Sequence, residues 1–246
     1  MAPTRHSTLP IRPLPHPPPF GRAPCRGRVA GFCSAIVGLT PETMPKTMMS
    51  ERPYSAACER NRDAILAVLR EHLADRTQVL EIGSGTGQHA VYFAAALPHL
   101  VWQTSDRIEH HAGIRAWLEE AALPNVLPPL TLDVNDAWPQ QRYDAVFSAN
   151  TLHIMSWEEV QTLFARLSQV MAPGARLVIY GPFNYSGKFT SDSNAQFQQT
   201  LKSWGAHMGI RDFEAVDALA QNIGLTLLKD HAMPANNRCL VWQKTT

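Results

Sequence analysis

The stretch VLEIGSGTGQH, residues 79–89, joins an apolar run to three glycines at alternate positions. The run VLEI (79–82) is typical of a buried strand, and QHAVYFAAAL (88–97) is typical of a helix that Pro98 ends. In α/β folds a glycine-rich turn between a buried strand and a helix binds a nucleotide-like ligand. The stretch therefore predicts a ligand site at the first strand-to-helix turn.

The spacing of the glycines indicates which ligand the turn suits. Gly83, Gly85 and Gly87 follow G-x-G-x-G, and Gln88 stands where a dinucleotide fold has its third glycine. Glu81 adds a carboxylate beside the turn, which would repel a pyrophosphate and attract a cationic ligand. S-adenosylmethionine (SAM) carries an ammonium and a sulfonium and no phosphate. The turn therefore favours SAM, with its methionine part against the backbone of residues 83–87, Ser84 included.

Two further acids follow predicted strands. Asp106 ends the second strand, roughly 20 residues after the glycines, where an acid can bind both ribose hydroxyls. SAM and dinucleotide folds share this feature, so it indicates an adenosine ligand without choosing between them. Asp133 lies at the end of the third predicted strand, where it suits a contact with the adenine amino group, with Val134 against the ring. Asp133 equally suits a cap or turn before Asn135.

Strand-like and helix-like segments alternate along the chain from about residue 52. This order predicts an α/β fold with a Rossmann-like, seven-stranded, mostly parallel sheet, helices on both faces and a C-terminal antiparallel hairpin. The predicted strands are 79–82, 100–106, 127–134, 143–150, 175–183, 226–234 and 238–244. The predicted helices are 57–73, 88–97, 111–123, 157–171 and 213–224, the last with Gly224 as its C-cap.

Residues 1–50 differ from the rest in composition. They are rich in proline and arginine, include PHPPPF (15–20) and contain no acid before Glu42. Frequent proline prevents helix and central strand, so we expect a disordered extension before a SAM-binding domain at 51–246. The extension fits either an Arg-rich targeting peptide or translated upstream sequence, with the true start at one of the methionines between 44 and 49. Its high proline content favours the second interpretation.

The bulk composition limits the partners. A net charge of +1 gives no basic field for nucleic acid, and no apolar run is long enough to predict a membrane span. The four cysteines show no metal-ligand spacing and read as reduced thiols of a cytoplasmic protein. His110-His111 lacks further ligands in sequence, so no metal site is predicted. A small-molecule substrate is the expected partner.

Taken together, VLEIGSGTGQHA (79–90), TSD (104–106), LDV (132–134) and YDAVFSANTLHI (143–154) resemble the class I SAM-dependent methyltransferases. A closer resemblance is to the DUF938 family, also called the methyltransferase-like 26 family. Its motifs here are RPYSAACERNRDAIL (52–66), LHIMSW (152–157), YGPFNYSGKFTSDSNAQF (180–197), WGAHMGIRDFE (204–214) and MPANN (233–237). The resemblance implies the fold and SAM binding, and it supplies no substrate.

The catalytic candidates are Asn150 and His153, at and just after the end of the fourth strand. Amino-methylating enzymes carry N/D-P-P-Y/F at this place, and N-T-L-H here argues against that kind of nitrogen nucleophile. His153 could serve as a general base near neutral pH. It could equally pack the loop before Trp157. Asn150 is also a candidate for cofactor binding.

The substrate candidates lie in three segments near the same edge. Tyr180, Asn184, Lys188 and Thr190 follow the fifth strand, in a segment that could also be a solvated loop. Asn236 and Asn237 stand between the last two strands, where asparagine also suits the positive φ values of a hairpin turn. Tyr54 could close over SAM as a lid above Asn61 and Arg62, whereas Ser55 beside it suits a helix N-cap.

Three functions follow from these observations. The first is a SAM-dependent methyltransferase that acts on a small molecule. The second is a SAM-binding sensor or interaction module without catalysis. The third, a dinucleotide-dependent oxidoreductase, is disfavoured by the glycine spacing and by Glu81.

Overall fold

A seven-stranded sheet runs through residues 52–245, which are the residues that the computed structural model describes. The disorder predicted for residues 1–50 lies outside the described residues. The sheet has the order β3-β2-β1-β4-β5-β9-β8, in which β1 to β5 are parallel and β9 is antiparallel to both of its neighbours. Its strands are β1 (Gln78–Glu81), β2 (Val101–Asp106), β3 (Val126–Thr131), β4 (Tyr143–Ala149), β5 (Met171–Gly181), β8 (Leu225–Met233) and β9 (Asn237–Lys244). The predicted fold class and the C-terminal hairpin are confirmed.

Six α-helices connect or flank these strands: α1 (Ala56–His72), α2 (Gln88–Ala96), α3 (His111–Ala121), α4 (Trp157–Val170), α5 (Asp192–Trp204) and α6 (Phe213–Asn222). Ser55 caps α1, as its residue type predicts, and accepts a hydrogen bond from the Cys58 backbone N–H at 3.4 Å. Gly224 follows the end of α6 with a φ of +78°. Between residues 52 and 245, no helix combines the length and the apolar character needed to cross a bilayer.

Both faces of the sheet are apolar because side chains alternate along each strand. In β1, Val79 packs on the face that α1 and α2 cover, and Leu80 packs on the opposite face, which α4 and α6 cover. Val178 and Leu177 divide in the same way within β5. Burial on two faces explains why these strands read as continuous apolar runs in the sequence.

The structure differs from the sequence-based assignment at several boundaries. Helix α5 was not predicted, because its segment is rich in Ser, Asn and Gln. A short parallel pair, β6 (Phe183–Asn184) with β7 (Arg211–Asp212), was also not predicted. Strand β5 begins directly after α4, at Met171, and includes Pro173-Gly174, so it starts four residues before the predicted strand 175–183. Strand β3 ends at Thr131, so Asp133 and Val134 lie beyond it.

The first strand-to-helix turn lies where the strand order reverses, between β1 and β4. Gly83 has a φ of +75°, and a Cβ added to it would stand 2.5 Å from Thr151 Cγ2. Gly85 also has a positive φ, of +58°, but a Cβ there would meet no heavy atom within 4 Å. Of these two glycines, Gly83 alone is required both by its backbone conformation and by a neighbouring side chain.

Substitution of the two glycines should separate these two requirements. Gly85→Ala should lower the free energy of unfolding by about 1–2 kcal/mol, the cost of a left-handed backbone. Gly83→Ala should cost about 1–3 kcal/mol more because its methyl group overlaps Thr151. Thr151→Ser removes Cγ2 and keeps the hydroxyl, so Gly83→Ala should lower the free energy of unfolding by less when Ser stands at position 151. Equal costs of the two alanine variants in urea denaturation would contradict this account.

Candidate functional site

A cavity of about 1260 Å³ opens at the carboxyl ends of the parallel strands. Ligand pockets in proteins usually measure roughly 300–1,000 Å³, so this one is large enough for two small molecules side by side. The first turn and the ends of β2 and β3 line one half, which we call the turn half. The ends of β4 and β5, helix α5 and the hairpin turn before β9 line the other, which we call the distal half.

Most of the predicted site residues come together in this cavity. Those that line it are Asn61, Gly83, Ser84, Gly85, Asp106, Asp133, Val134, Asn150, His153, Tyr180 and Asn237. Those that do not are Tyr54, Glu81, Gly87, Asn184, Lys188, Thr190 and Asn236. Tyr54 is 66% exposed and does not cover the cavity in this structure.

Asp106 lies at the centre of the turn half. Its Oδ2 accepts a hydrogen bond from the Gly85 backbone N–H at 2.7 Å, and its Oδ1 accepts one from Arg107 N–H at 2.8 Å. The carboxylate therefore fixes the glycine turn while it lines the cavity. It is placed where a ligand that lies along the turn would meet a negative charge.

Glu81 lies beneath the turn rather than in the cavity lining. One carboxylate oxygen accepts hydrogen bonds from Ser84 Oγ at 2.8 Å and from Trp102 Nε1 at 3.0 Å. Burial raises the pKa of Glu81 to about 7, and the side chain is 2% exposed. The carboxylate thus supports the turn from below and presents no exposed charge to a ligand.

Asp133 forms the turn that its sequence position allows and also lines the cavity. Its Oδ1 accepts a hydrogen bond from the Asn135 backbone N–H at 2.9 Å, which is the Asx-turn geometry of a loop residue. It also lines the turn half together with Val134. The turn holds both residues at the cavity wall, past the end of β3.

Asn150 and His153 lie where the two halves meet. Asn150 has a φ of +60°, a conformation that non-glycine residues adopt at a cost, and its backbone N–H donates to Tyr180 O at 2.9 Å. His153 is buried, and burial, with a smaller effect from Arg211, lowers the pKa of its imidazole to about 4. Neither of its ring nitrogens has a hydrogen-bond partner within residues 52–245. At neutral pH this ring is uncharged and able to accept a proton.

The N-terminal part of α1 forms a roof over the cavity that sequence reasoning largely missed. Gln88 Oε1 accepts a hydrogen bond from the Ser55 backbone N–H at 2.5 Å and so docks α1 on the start of α2. Asn61 Oδ1 lies 2.8 Å from His89 Nε2, and Cys58 Sγ lies 3.9 Å from His89 Nδ1. Burial lowers the pKa of His89 to about 4, so this ring is also neutral. Cys58 and Asn61 stand three residues apart on α1, and this spacing could have indicated that both side chains lie on the face towards the cavity.

The distal half contains further residues that were not predicted. Helix α5 contributes Asn194, Phe197 and Trp204, and the segment after it contributes His207 and Met208. Asn194, Phe197, Leu201 and Trp204 are spaced three, four and three apart, which is the signal that would have placed a helix here.

The turn between β8 and β9 differs from the expected one by one residue. Its positive φ values, 56° and 57°, occur at Ala235 and Asn236, whereas we expected them at Asn236 and Asn237. Asn237 begins β9 and lines the cavity, whereas Asn236 binds α5: its carbonyl accepts from Asn194 Nδ2 at 3.2 Å and its Nδ2 donates to Ser193 Oγ at 3.2 Å. The turn is thereby attached to the distal wall.

One group of potential metal donors lies outside this cavity. Glu71, His72 and His231 each offer a donor atom, and these atoms lie within 4.8 Å of one another. His72 Nε2 and His231 Nε2 are 2.8 Å apart, a distance that an imidazole–imidazole hydrogen bond explains. The absence of a metal site stays a prediction.

The raised pKa of Glu81 predicts a pH dependence of stability. Its ordinary value is 4.5, so the native state binds the proton more tightly than the unfolded chain between pH 4.5 and about 7. The contribution of this proton to the free energy of unfolding is complete below pH 4.5. It falls by about 3 kcal/mol as the pH rises from 4.5 to about 7. Glu81→Gln cannot titrate, so its free energy of unfolding should lack this decline.

Urea denaturation at a series of pH values measures the difference between wild type and variant. Glu119→Gln is the matched control because Glu119 is exposed. The control should follow the wild type, and an unchanged slope in Glu81→Gln would show that Glu81 is not the titrating group.

Comparison with solved structures places the fold among methyltransferases. The chain is similar to the S-adenosylmethionine-dependent methyltransferase SibL in its apo form, with a TM-score of 0.67, 22% identity and coverage of 78% of this chain and 56% of that one. It is similar to the mitomycin 7-O-methyltransferase MmcR, with a TM-score of 0.69, 17% identity and coverage of 77% and 55%. Human N-acetylserotonin methyltransferase in complex with SAM gives a TM-score of 0.65, 16% identity and coverage of 77% and 53%.

These identities show a shared fold, and the chain spans about half the length of each of these solved chains. The family model described as "Protein of unknown function (DUF938)" matches residues 52–244, which is nearly all of the part that the structure describes. The chain therefore belongs to the DUF938 family and has the fold of the class I SAM-dependent methyltransferases.

Proposed function

We propose that this protein is a SAM-dependent methyltransferase that acts on a small-molecule acceptor. The observation that carries the proposal is the position of Asp106. Its carboxylate is bonded to the glycine turn and lines a cavity at the point where the strand order reverses. That point is where open α/β sheets bind their ligands.

The residues of the turn half fit SAM by shape and by charge. The backbone of residues 83–85 lines the cavity without a Cβ at either glycine, which permits close approach of the methionine part. Asp106 would bind the ribose hydroxyls, and Asp133 with Val134 would contact the adenine. Glu81, which we expected to attract the ligand directly, would instead act by holding Ser84.

When bound, SAM supplies a methyl group on an electrophilic sulfonium. The chain's own task is to orient the acceptor in line with that methyl group and to exclude water. Asn150 lies between the two halves and would orient the acceptor. His153 would accept a proton where the acceptor must lose one.

A small acceptor agrees with the size and charge of the site. The cavity volume exceeds what one cofactor needs, and side chains of this chain line the remaining space. Tyr180 and Asn237 line this remainder, together with Asn61 from the roof, and belong to the proposed acceptor site. The near-zero net charge of +1 gives no reason to expect nucleic acid.

The motifs RPYSAACERNRDAIL (52–66), LHIMSW (152–157) and MPANN (233–237) support placement of the chain in the methyltransferase-like 26 group. Cys58 and Cys239 form no disulfide within residues 52–245, which supports a cytoplasmic location. Residues 51–246 would form the whole SAM-binding domain.

The cofactor assignment predicts the effect of changing Asp106. Asp106→Ala should weaken SAM binding by about 10- to 100-fold, because a charge-assisted hydrogen bond contributes about 1.5–3 kcal/mol. Asp106→Asn keeps an acceptor for Gly85 N–H and should show how much of the loss comes from the charge. Asp136→Ala, an exposed acid that does not line the cavity, is the control.

Isothermal titration calorimetry with SAM, S-adenosylhomocysteine and NAD provides the measurement. SAM and S-adenosylhomocysteine should bind the wild type. Tight NAD binding without SAM binding would overturn the cofactor assignment, and unchanged SAM affinity in Asp106→Ala would remove Asp106 from the site.

The proposed proton acceptor gives a separate prediction. His153→Ala should reduce methyl transfer about 100-fold or more, with SAM affinity unchanged, because general bases contribute roughly 10²–10⁴-fold. Transfer of a labelled methyl group from SAM into a metabolite extract measures the activity, and thermal denaturation checks that the variant is folded. Full activity in His153→Ala would exclude a base role. SAM binding with no transfer by the wild type would favour the sensor function instead.

A further inference from the structure

Helix α5 presents an aromatic face to the distal half of the cavity. We call Asn194, Phe197 and Trp204, with Met208 from the following segment, the α5 wall. Leu201 lies on the same face and is fully buried, which anchors the helix between Phe197 and Trp204. The wall therefore places two aromatic rings along the space next to His153.

The rings of the wall form a continuous row. The centroid of Phe197 lies 5.4 Å from that of His153, with an interplanar angle of 74°, and 6.4 Å from that of Trp204, with an angle of 84°. Trp204 is 64% exposed although it is the largest apolar side chain at the cavity rim, and Ile154 beside the cavity is 43% exposed. Exposed apolar groups that border a cavity are typical of surfaces that a ligand covers.

The wall is rigidly attached to the catalytic candidates. The Arg211 guanidinium donates to the carbonyls of Leu152, Met155 and His207 and so ties the segment after β4 to the segment after α5. Gly209 N–H donates to His153 O at 2.9 Å. The distance between the wall and His153 is therefore fixed by hydrogen bonds before any ligand binds.

The charge on this side also limits the acceptor. Glu159 is the one carboxylate that lines the distal half among the described residues, and it is engaged in the capping box of α4. Its Oε2 accepts from the Ser156 backbone N–H at 2.6 Å, so part of its hydrogen-bonding capacity is already used within the fold. The Arg211 guanidinium lies close enough to His153 to help lower the pKa of that ring, so it would also repel a cationic group placed at His153, and a neutral acceptor is favoured there.

We propose that the acceptor is a planar aromatic compound that bears a hydroxyl group, with its ring against Phe197 and Trp204 and its hydroxyl at His153. This inference rests on the proposed methyltransferase function and names its substrate class. Aromatic rings prefer edge-to-face or offset contacts at centroid distances of roughly 4.5–7 Å, and the row of rings offers both.

The chemistry of the step is consistent with this class. The hydroxyl oxygen forms a bond to the methyl carbon as the carbon–sulfur bond breaks, and the bonding pair remains on sulfur. The hydroxyl proton passes to His153 and then to solvent. Because burial lowers the pKa of His153 to about 4, this base is weak. A weak base suits an aromatic hydroxyl, whose pKa is about 10 as in tyrosine. It suits an aliphatic hydroxyl less well, because the pKa of that group is close to the value of about 15.7 for water.

The test uses 2-naphthol and its saturated analogue decahydro-2-naphthol as probes, with the full chain saturated with S-adenosylhomocysteine. Calorimetry should show about ten-fold tighter binding of 2-naphthol, since aromatic contacts add about 0.5–1.5 kcal/mol beyond buried area. Trp204→Leu keeps apolar bulk and should lose most of this preference. Trp204→Phe keeps a ring and should retain it. Phe189→Ala is the control, because Phe189 is an exposed aromatic residue that does not line the cavity.

Equal binding of the two probes, binding of neither, or equal effects of Trp204→Leu and Trp204→Phe would overturn the aromatic assignment. Each of these results is separable from failure of the proposed function, because the affinity for S-adenosylhomocysteine is measured first. If the wild type does not bind S-adenosylhomocysteine, the methyltransferase proposal itself is rejected, and with it this inference.

Discussion

The contact between Gly83 and Thr151 is the constraint on which the site depends. It exists because Gly83 has no side chain, and it brings the first turn directly against the segment that follows β4. Below it, Ser148 Oγ donates to Ile82 O at 2.8 Å and lies 2.6 Å from Thr151 Oγ1. The strand order reverses at this contact, so connections leave β1 and β4 on opposite faces and a cavity opens above their ends.

Burial keeps the ionisable groups around this contact close to their neutral forms. Glu81 is held partly protonated, with a pKa of about 7, and His89 and His153 are held unprotonated, with pKa values of about 4. Asp106 lies at the cavity surface, and its two oxygens accept backbone hydrogen bonds. The turn half thus offers a carboxylate above a floor that carries little charge, which suits a ligand with positive groups.

The sequence was informative where local patterns determine the structure. The apolar strands, the glycine turn and the acids after β2 and β3 were predictable because each depends on a few neighbouring residues. The position of Glu81 could have been predicted better from the period of two. Glu81 shares the face of Val79, which α1 and α2 cover, so its side chain points under the turn and towards Trp102. The carboxylate of Glu81 suggested a ligand contact, whereas the alternation of side chains along β1 buries it beneath the turn, where it accepts a hydrogen bond from Ser84.

The distal half was harder to predict because it is built from contacts that are distant in sequence. His153 is 44 residues from Phe197, and hydrogen bonds from Arg211 and Gly209 join the segments that carry the two rings. The left-handed conformation of Asn150 likewise depends on its hydrogen bond to Tyr180 in the neighbouring strand. The chain shares its fold with the solved methyltransferases at 16–22% identity, and that likeness does not extend to the side chains that α5 contributes. The proposed acceptor specificity would therefore rest on residues such as Phe197 and Trp204, which lie apart from the glycine turn.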